Sequence, residues 1–211
     1  MNSYKRIFFL ELLFFYLLTG CSKAIDSNQS KICLKTSKPC LDKKVRVVIK
    51  TSSGKFIVEL DGLNAPLTAG NFLRLINNKF YEGKTFHRVI KRPYPFIIQG
   101  GNYNSKSSVY RNSNKLLPLE IKLINEKLPR YNFPITNPND LSKLQLVHKR
   151  GAIAMARSQA INSGSTEFYI ALKRLPELDG RYTVFGKIIE GIEVIDSIEK
   201  GDKIIETYSL N

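Results

Sequence analysis

The sequence predicts a mainly β protein, an eight-stranded closed antiparallel barrel capped by two α-helices. Two segments have apolar residues at helical spacing. So many short strands would expose many edges in an open sheet, and closure into a barrel removes those edges. The strands are predicted from eight short runs rich in β-branched and aromatic residues, at 45–50, 55–60, 86–90, 96–100, 152–156, 168–172, 184–189 and 203–208.

The composition is that of an ordinary globular protein. The chain has 211 residues, of which 43% are hydrophobic and 24% charged, enough for one sizeable core. Its formal net charge of +15 favours anionic partners. The lysines and arginines are scattered, without a dense cluster interleaved with aromatic residues, so we expect no nucleic acid among the partners.

The N-terminus has the pattern of an export signal. Lys5 and Arg6 precede the apolar run IFFLELLFFYLL, which is followed by a cysteine at Cys21. The segment resembles a bacterial lipoprotein signal, which implies cleavage after residues 1–20 and acyl chains on Cys21. It also implies a cell-envelope location, lipid-anchored to a membrane on the extracytoplasmic side. A simple transmembrane anchor is the alternative, although the run is shorter than the ~20 residues that span a bilayer.

Residues 21–44 predict a polar tether between the lipid and the folded domain, because they are rich in Ser, Lys, Asn and Asp. The tether contains the other two cysteines, Cys33 and Cys40. An exported chain meets an oxidising compartment, so a disulfide between them is one interpretation. Two free thiols in a disordered tether are the other.

The remaining elements follow in chain order from position 45. The first two strand runs flank the sequence TSSG, which predicts a hairpin. Pro66 then opens a predicted helix of three turns, and residues 192–198 predict a short second helix before the last strand. Residues 103–147 are rich in Asn, Ser, Lys and Pro, and so long a segment inside a compact domain predicts a functional loop or an insertion.

The stretch FHRVIKRPYPFIIQGG contains the first candidate for chemistry, Arg88. A guanidinium flanked by Phe, Val and Ile is costly to hold near apolar surface unless its head group has a task. A plain surface charge is the alternative. His87 and His148 lack the cysteine or carboxylate spacing of a metal site, so we expect both to be structural and no metal or other cofactor to be bound.

Five ordered blocks carry a family resemblance across roughly residues 45–208, namely YEGKTFHRVI, FIIQGG, GAIAMARSQ, STEFYIAL and LDGRYTVFGKIIEGIEVIDSI. Together they resemble the cyclophilin family of peptidyl-prolyl cis-trans isomerases, in its bacterial branch. The resemblance implies a cyclophilin-like domain over residues 45–211, interrupted by the long insertion at about 103–147. It also implies the eight-stranded antiparallel barrel with two capping helices.

The resemblance implies roles for single residues as well. Arg88 matches the catalytic arginine, and Gln99 matches the glutamine that binds the substrate and steadies that arginine. Phe168, which alternates with Tyr169 along a strand, is expected in the core instead. The substrate-binding positions of the family fall on Phe96, Ile97, Ala156, Arg157, Glu167, Tyr169, Leu178 and Tyr182.

Several departures from the family pattern bear on function. The segment KRPYP is longer than the usual loop, so the match of Phe96 depends on counting back from QGG. Arg157 replaces an asparagine of the best-known members. Glu167 replaces a glutamine, and its carboxylate could pair with Arg88 or Arg157. Glu177 stands where the best-known members have tryptophan, which predicts weak cyclosporin binding.

Three functions are compatible with these residues. The first is a membrane-tethered peptidyl-prolyl cis-trans isomerase that acts on exported or unfolded polypeptides. The alternative is a non-catalytic peptide-holding chaperone or envelope assembly factor that uses the same groove. The third is an envelope-scaffolding lipoprotein that acts through its basic face. For the first two, the expected partners are proline-containing polypeptides and, through the lipid anchor, a membrane, and the chain is expected to be a monomer.

Overall fold

The computed structural model describes Cys33, residues 37–101 and residues 116–210. The predicted signal peptide, residues 1–20, and the predicted lipidation site, Cys21, lie outside the described residues. Within the described ranges, no helix has both the length and the apolar character needed to cross a membrane.

The architecture is a barrel of eight antiparallel strands, as predicted. The strands are β1 (Lys44–Thr51), β2 (Gly54–Asp61), β3 (Thr85–Val89), β4 (Ile97–Gly101), β5 (Glu120–Ile121), β6 (Arg130–Tyr131), β7 (Ala152–Met155), β8 (Phe168–Ala171), β9 (Val184–Glu190) and β10 (Ile204–Ser209), of which β5 and β6 form a separate two-stranded sheet. The order in the main sheet is β10-β1-β2-β9-β7-β8-β4-β3. Backbone hydrogen bonds join the chain at its two end strands, from Gly83 N to the Ile204 carbonyl at 2.8 Å and from Phe86 N to the Asp202 carbonyl at 2.9 Å, so the barrel is nearly closed.

One helix caps the barrel and packs its aromatic core. Helix α1 (Pro66–Asn77) begins with the predicted proline and buries Phe72, Leu75 and Ile76. The ring of Phe72 lies 5.2 Å from that of Phe168 and 5.0 Å from that of Phe185, centroid to centroid. Burial of three large rings in contact stabilises the barrel end strongly, and Phe168 is a core residue as predicted.

The second predicted helix is shorter than expected. Only Val194–Ser197 is helical, a single turn in which Ile195 is buried. Ile198 is also buried but has extended backbone dihedrals, since the chain turns there towards β10. The apolar residues continue at helical spacing as far as Ile198, but the helix itself ends at Ser197 because the chain changes direction there.

The folded unit reaches further towards the N-terminus than position 45. Leu41, inside the predicted tether, is 6% exposed and donates its backbone N–H to the Pro66 carbonyl at 3.0 Å. The backbone of Cys40 packs on Gly70 of α1, where a Cβ atom would lie 2.6 Å from the Cys40 Cα. Cys33 and Cys40 are joined by a disulfide. The end of the tether is therefore part of the domain.

The described part of the insertion, residues 116–147, is folded rather than structureless. It contains the β5–β6 hairpin and a one-turn helix, α2 (Pro138–Leu141), whose first turn is capped by the side chain of Asn137. Leu117 bridges to Gly164, which ties the start of the insertion to the loop before β8. Its own apolar cluster consists of Leu119, Ile121, Leu123, Ile135 and Leu144.

Candidate active site on the outer face of the barrel

A row of side chains crosses four neighbouring strands on the outside of the barrel. Arg88 of β3 is paired with Gln99 of β4, which is paired with Tyr169 of β8, which is paired with Ala154 of β7. Residues directly opposite each other in adjacent strands point to the same face. The four residues therefore share one face, opposite to the core face that carries Phe168.

A β-bulge at His87 places Arg88 in this row. Phe86 is paired with Gly100 and Arg88 with Gln99, so His87 is the extra residue of β3. Without a bulge, residues two apart would point to the same face. With it, Phe86 is fully buried in the core whereas Arg88 is exposed. Gly100 leaves room for the Phe86 ring, which a Cβ atom there would approach to 2.9 Å.

Arg88, Gln99 and Glu167 form a chain of hydrogen bonds. Nη1 of Arg88 donates to Oε1 of Gln99 at 3.3 Å, and Nε2 of Gln99 donates to Oε2 of Glu167 at 2.8 Å. The same carboxylate oxygen lies 3.5 Å from Nε2 of His87. The prediction that Glu167 pairs with Arg88 or Arg157 is wrong. Its carboxylate accepts a hydrogen bond from the Gln99 amide and lies beside the His87 ring instead.

An apolar cluster adjoins this chain of hydrogen bonds and is called the recess below. It is a second cluster, separate from the barrel core, in which Ile97 and Tyr169 are each 3% exposed. The rings of Tyr169 and Tyr182 meet edge to face with centroids 5.8 Å apart. Partly buried residues complete the cluster: Phe96, Leu146, Ala156, Leu178 and Tyr182. The structure thus brings the predicted apolar site residues together beside Arg88 and Gln99.

The long β3–β4 connection does not displace Phe96. Ile90 N donates to the Ile97 carbonyl and Phe96 N donates to the Ile90 carbonyl, both at 2.9 Å. Residues 91–95 therefore form a loop whose two ends are hydrogen-bonded to each other. Tyr94 at its tip is 73% exposed. Counting back from QGG therefore led to the residue that lies in the recess.

A buried chain of hydrogen bonds, which the sequence did not predict, holds Tyr169 of the recess. The His148 ring is hydrogen-bonded to Oδ1 of Asp179 at 2.8 Å and to the Tyr169 hydroxyl at 2.9 Å. Burial raises the pKa of Asp179, but hydrogen bonds from His148 and Arg174 outweigh it and lower that pKa below its ordinary value. Burial raises the pKa of Tyr169, which keeps its hydroxyl protonated. His148 is structural, as expected.

Arg157 lies at the rim of the recess. Its guanidinium carbon is 4.6 Å from the ring centroid of Tyr182, a cation–π distance. Nε donates to the Arg181 carbonyl at 3.1 Å and Nη1 to the Ser158 carbonyl at 3.0 Å. The side chain is thus held over the recess by two neighbouring loops. Glu177 is exposed, next to Leu178 in a single 3₁₀ turn (Pro176–Leu178).

The described ranges contain no group of three or more His, Cys, Asp or Glu side chains that could hold a metal ion. What the site offers is an exposed cation, an amide and an apolar recess. Such an arrangement can bind an apolar ring and donate hydrogen bonds next to it.

The profile of a known protein family covers this whole domain. The family described as "Cyclophilin type peptidyl-prolyl cis-trans isomerase/CLD" matches residues 46–208. The chain belongs to the cyclophilin family. The expectation from the five sequence blocks is thereby confirmed, and the enzyme class is that of the peptidyl-prolyl cis-trans isomerases.

Two relatives show how far this cyclophilin resembles known proteins. A peptidyl-prolyl cis-trans isomerase of Helicobacter pylori is 34% identical over 179 residues, covering 79% of this chain and 87% of the relative. A putative thylakoid lumen peptidyl-prolyl cis-trans isomerase of Synechocystis is 33% identical over 183 residues, covering 79% of this chain. This cyclophilin spans only about half of the Synechocystis relative, 47% of its length.

A solved structure has the same fold. The cyclophilin-type isomerase of Cryptosporidium parvum, crystallised in the presence of the dipeptide Ala-Pro, superposes with a TM-score of 0.58 at 25% identity. The match covers 79% of this cyclophilin and 99% of that chain.

Proposed function

We propose that this cyclophilin accelerates rotation about X-Pro bonds in exported or unfolded polypeptides while tethered to a membrane. Arg88 and Gln99 would act on the reacting imide, and the recess would hold the proline ring. The observation that carries the proposal is the contact between Nη1 of Arg88 and Oε1 of Gln99 at the edge of the apolar recess.

The reaction needs no covalent chemistry. Amide resonance gives rotation a barrier of ~18–20 kcal/mol, and the resonance is lost as the bond twists. The prolyl nitrogen then becomes pyramidal and accepts a hydrogen bond that the planar form does not accept. A donor held beside the nitrogen therefore binds the transition state more tightly than either planar form.

Arg88 is suited to that donation. A guanidinium is protonated at every relevant pH and has five N–H groups in a planar fork. Gln99 accepts from one of them, which leaves others for the substrate. The amide of Gln99 is itself fixed by Glu167, so the fork is held in place before substrate binds.

The recess supplies the complementary apolar surface. Ile97, Tyr169 and Tyr182 belong to one apolar cluster, and Tyr169 is the strand partner of Gln99. Phe96, Leu178 and Ala156 extend this surface and remain partly accessible. The hydrogen bond between the Tyr169 hydroxyl and His148 holds the Tyr169 ring in place. A proline ring would therefore pack on it without ordering a mobile side chain.

The substrates and the location are inferred from the N-terminal sequence. The signal-like segment and Cys21 favour a lipid anchor on the extracytoplasmic side of a membrane. The disulfide between Cys33 and Cys40 suits an oxidising compartment. The name of the Synechocystis relative also refers to a lumen outside the cytoplasm. Polypeptides emerging from export would then be the substrates.

One observation favours the alternative of a peptide-holding chaperone. The Glu167 carboxylate accepts from an N–H of Gln99 Nε2, a donor that would otherwise be available to the substrate. If that donor is needed for turnover, the same groove would bind proline peptides without accelerating their rotation.

A proline-peptide isomerisation assay on the full chain in detergent separates the two functions. The wild type should accelerate rotation, and Arg88→Ala should lower kcat/KM about tenfold or more, equivalent to about 1.4 kcal/mol of transition-state binding. The matched control is Arg46→Ala, which removes an exposed arginine from β1, outside the site. Suppression of aggregation by a wild type without isomerase activity would support the chaperone instead.

A further inference from the structure

Arg157 is more firmly held than a surface arginine usually is. Four interactions fix its head group: the Tyr182 ring at 4.6 Å, the Arg181 carbonyl at 3.1 Å, the Ser158 carbonyl at 3.0 Å and the Gln159 carbonyl at 3.5 Å. Long charged side chains normally lose considerable conformational entropy when they bind a partner. In this protein the side chain is already ordered in the folded state, so binding a partner would cost little further conformational entropy. The cation is therefore preorganised.

The charge of Arg157 is not neutralised within the described part of the chain. No carboxylate there lies within 4.0 Å of its nitrogens, and its Nη2 has no hydrogen-bond partner among those residues. All its hydrogen bonds go to uncharged backbone carbonyls. The sequence of residues 102–115 contains no Asp or Glu. A fixed guanidinium with a spare donor group is the arrangement that binds carboxylates.

The position of Arg157 places this charge next to the proline. It follows Ala156, a member of the recess cluster, and it covers Tyr182, another member. A substrate residue directly beside a proline in the recess would therefore lie close to the guanidinium. An acidic side chain at that residue would gain a hydrogen-bonded ion pair, and a basic one would be repelled.

Three carboxylates of the site and its surroundings oppose this effect and have to be weighed. Glu167 belongs to the same site, but its Oε2 accepts from Gln99 and lies 3.5 Å from the His87 ring. Glu177 is exposed on the 3₁₀ turn beside Leu178 and is screened by water. Asp179 is buried and bound to His148 and Arg174. None of the three contacts Arg157, so its charge dominates at the rim.

We propose that Arg157 forms an anion subsite that selects substrates with an Asp or Glu side chain directly flanking the proline. The proposal rests on the proposed function of the recess as the proline site. Arg157 is then a residue that determines specificity, and the preferred clients are acidic exported segments, which also suit the net charge of +15.

The test compares matched peptides on the full chain. Two sets of proline tetrapeptides contain Glu, Gln or Lys, in one set directly before the proline and in the other directly after it. The ratio of kcat/KM for Glu over Lys is measured for the wild type, Arg157→Gln, Arg157→Lys and Arg181→Gln. Arg181 is the matched control, since it is an exposed neighbour that contributes only its backbone carbonyl to this contact.

In at least one set the wild type should prefer Glu over Lys about fivefold, corresponding to about 1 kcal/mol at 1.4 kcal/mol per tenfold. The preference should be kept in Arg181→Gln, reduced in Arg157→Lys and largely lost in Arg157→Gln. It should also shrink as salt is raised. A wild-type ratio near one in both sets, or an unchanged ratio in Arg157→Gln, overturns the subsite.

This outcome is distinguishable from failure of the proposed function. If the wild type accelerates rotation in the Gln peptides but shows no charge preference, only the subsite is wrong. If it accelerates none, the isomerase proposal fails, and fluorescence anisotropy with labelled versions of the same peptides then decides the subsite. Tighter binding of Glu than Lys peptides, lost in Arg157→Gln, supports it, and equal binding overturns it.

Discussion

Glu167 fixes the orientation of the Gln99 side chain. Nε2 of Gln99 donates to Oε2 of Glu167 at 2.8 Å, and a carboxylate can only accept, so the amide oxygen of Gln99 has to point the other way. That oxygen accepts from Arg88 at 3.3 Å. A single carboxylate thus determines which end of the amide faces the arginine, two residues away in the chain of hydrogen bonds.

The first prediction concerns the charge of Glu167. In Glu167→Gln the new amide oxygen can accept the same hydrogen bond from Gln99, so the geometry is kept while the negative charge near Arg88 is removed. A guanidinium freed of that competing charge should donate more strongly to the substrate, and we expect kcat/KM for a proline peptide to rise about threefold.

Glu167→Ala is the matched control for this effect. It removes the charge and also the acceptor, so the Gln99 amide can rotate and the arginine loses a fixed partner. We expect this variant to fall below the wild type in the same assay. Equal activities for Glu167→Gln and Glu167→Ala would contradict a role of the carboxylate in orienting Gln99.

The barrel strands were predictable because each depends on a local signal. Runs such as VRVVIK are rich in β-branched residues, and this run forms β1, in which Val47, Val48 and Ile49 are all buried. The apolar site residues followed from the family blocks, which keep their order. Phe96 and Ile97 accordingly lie in the recess.

The features that were missed depend on contacts distant in sequence. Glu120 in the insertion is bonded to the backbone of Leu67 and Thr68, 53 and 52 positions away. The partner of Glu167 depends on a side-chain orientation, and the bulge at His87 shows only in the strand register. None of these leaves a periodic or compositional trace, so the sequence alone could not reveal the fold of residues 116–147.

The second prediction concerns cyclosporin. Glu177 places an exposed carboxylate beside Leu178 at the recess, where the best-known family members have a tryptophan. An apolar cyclic peptide would have to desolvate that carboxylate without compensation, so we expect no submicromolar inhibition. In Glu177→Trp the inhibition constant should fall about tenfold or more, measured in the isomerase assay. Glu177→Gln, which removes only the charge, should give a smaller gain, whereas tight inhibition of the wild type would contradict the prediction.

The third prediction concerns the lipid anchor. Cells expressing the full chain should incorporate a labelled fatty acid into it, and Cys21→Ala should abolish the label, because the thiol of Cys21 is the predicted attachment point. Cys33→Ala is the control, since Cys33 is bonded to Cys40 and should not carry lipid. Label that persists in Cys21→Ala, or that disappears in Cys33→Ala, would assign the anchor elsewhere.

The fourth prediction concerns the pH dependence of stability through Glu120. This side chain is 1% exposed and accepts from Leu67 N at 3.1 Å, from Thr68 N at 2.9 Å and from the Tyr131 hydroxyl at 3.0 Å. It thereby attaches the insertion to the first turn of α1. Burial nevertheless raises the pKa of Glu120 above its ordinary value, because desolvation outweighs these hydrogen bonds.

The direction of the pH effect follows from that shift. In the pH window between the unfolded pKa, about 4.3, and the higher folded pKa, the folded state binds more protons than the unfolded state. The contribution of Glu120 to the free energy of unfolding is therefore fully present below about pH 4 and decreases as pH rises through this window. Above the folded pKa it stays constant.

Glu120→Gln isolates this contribution, because the other titrating groups cancel in the difference between the two proteins. The variant should be less stable than the wild type by about 1–3 kcal/mol at low pH, since its amide N–H₂ faces a backbone donor that a carboxyl oxygen would satisfy. The difference in free energy of unfolding, measured by urea denaturation from about pH 4 to about pH 8, should become smaller as pH rises. A difference that grows with pH would mean that the hydrogen bonds from α1 outweigh burial at Glu120, and that the insertion is held by a carboxylate whose pKa is lowered rather than raised.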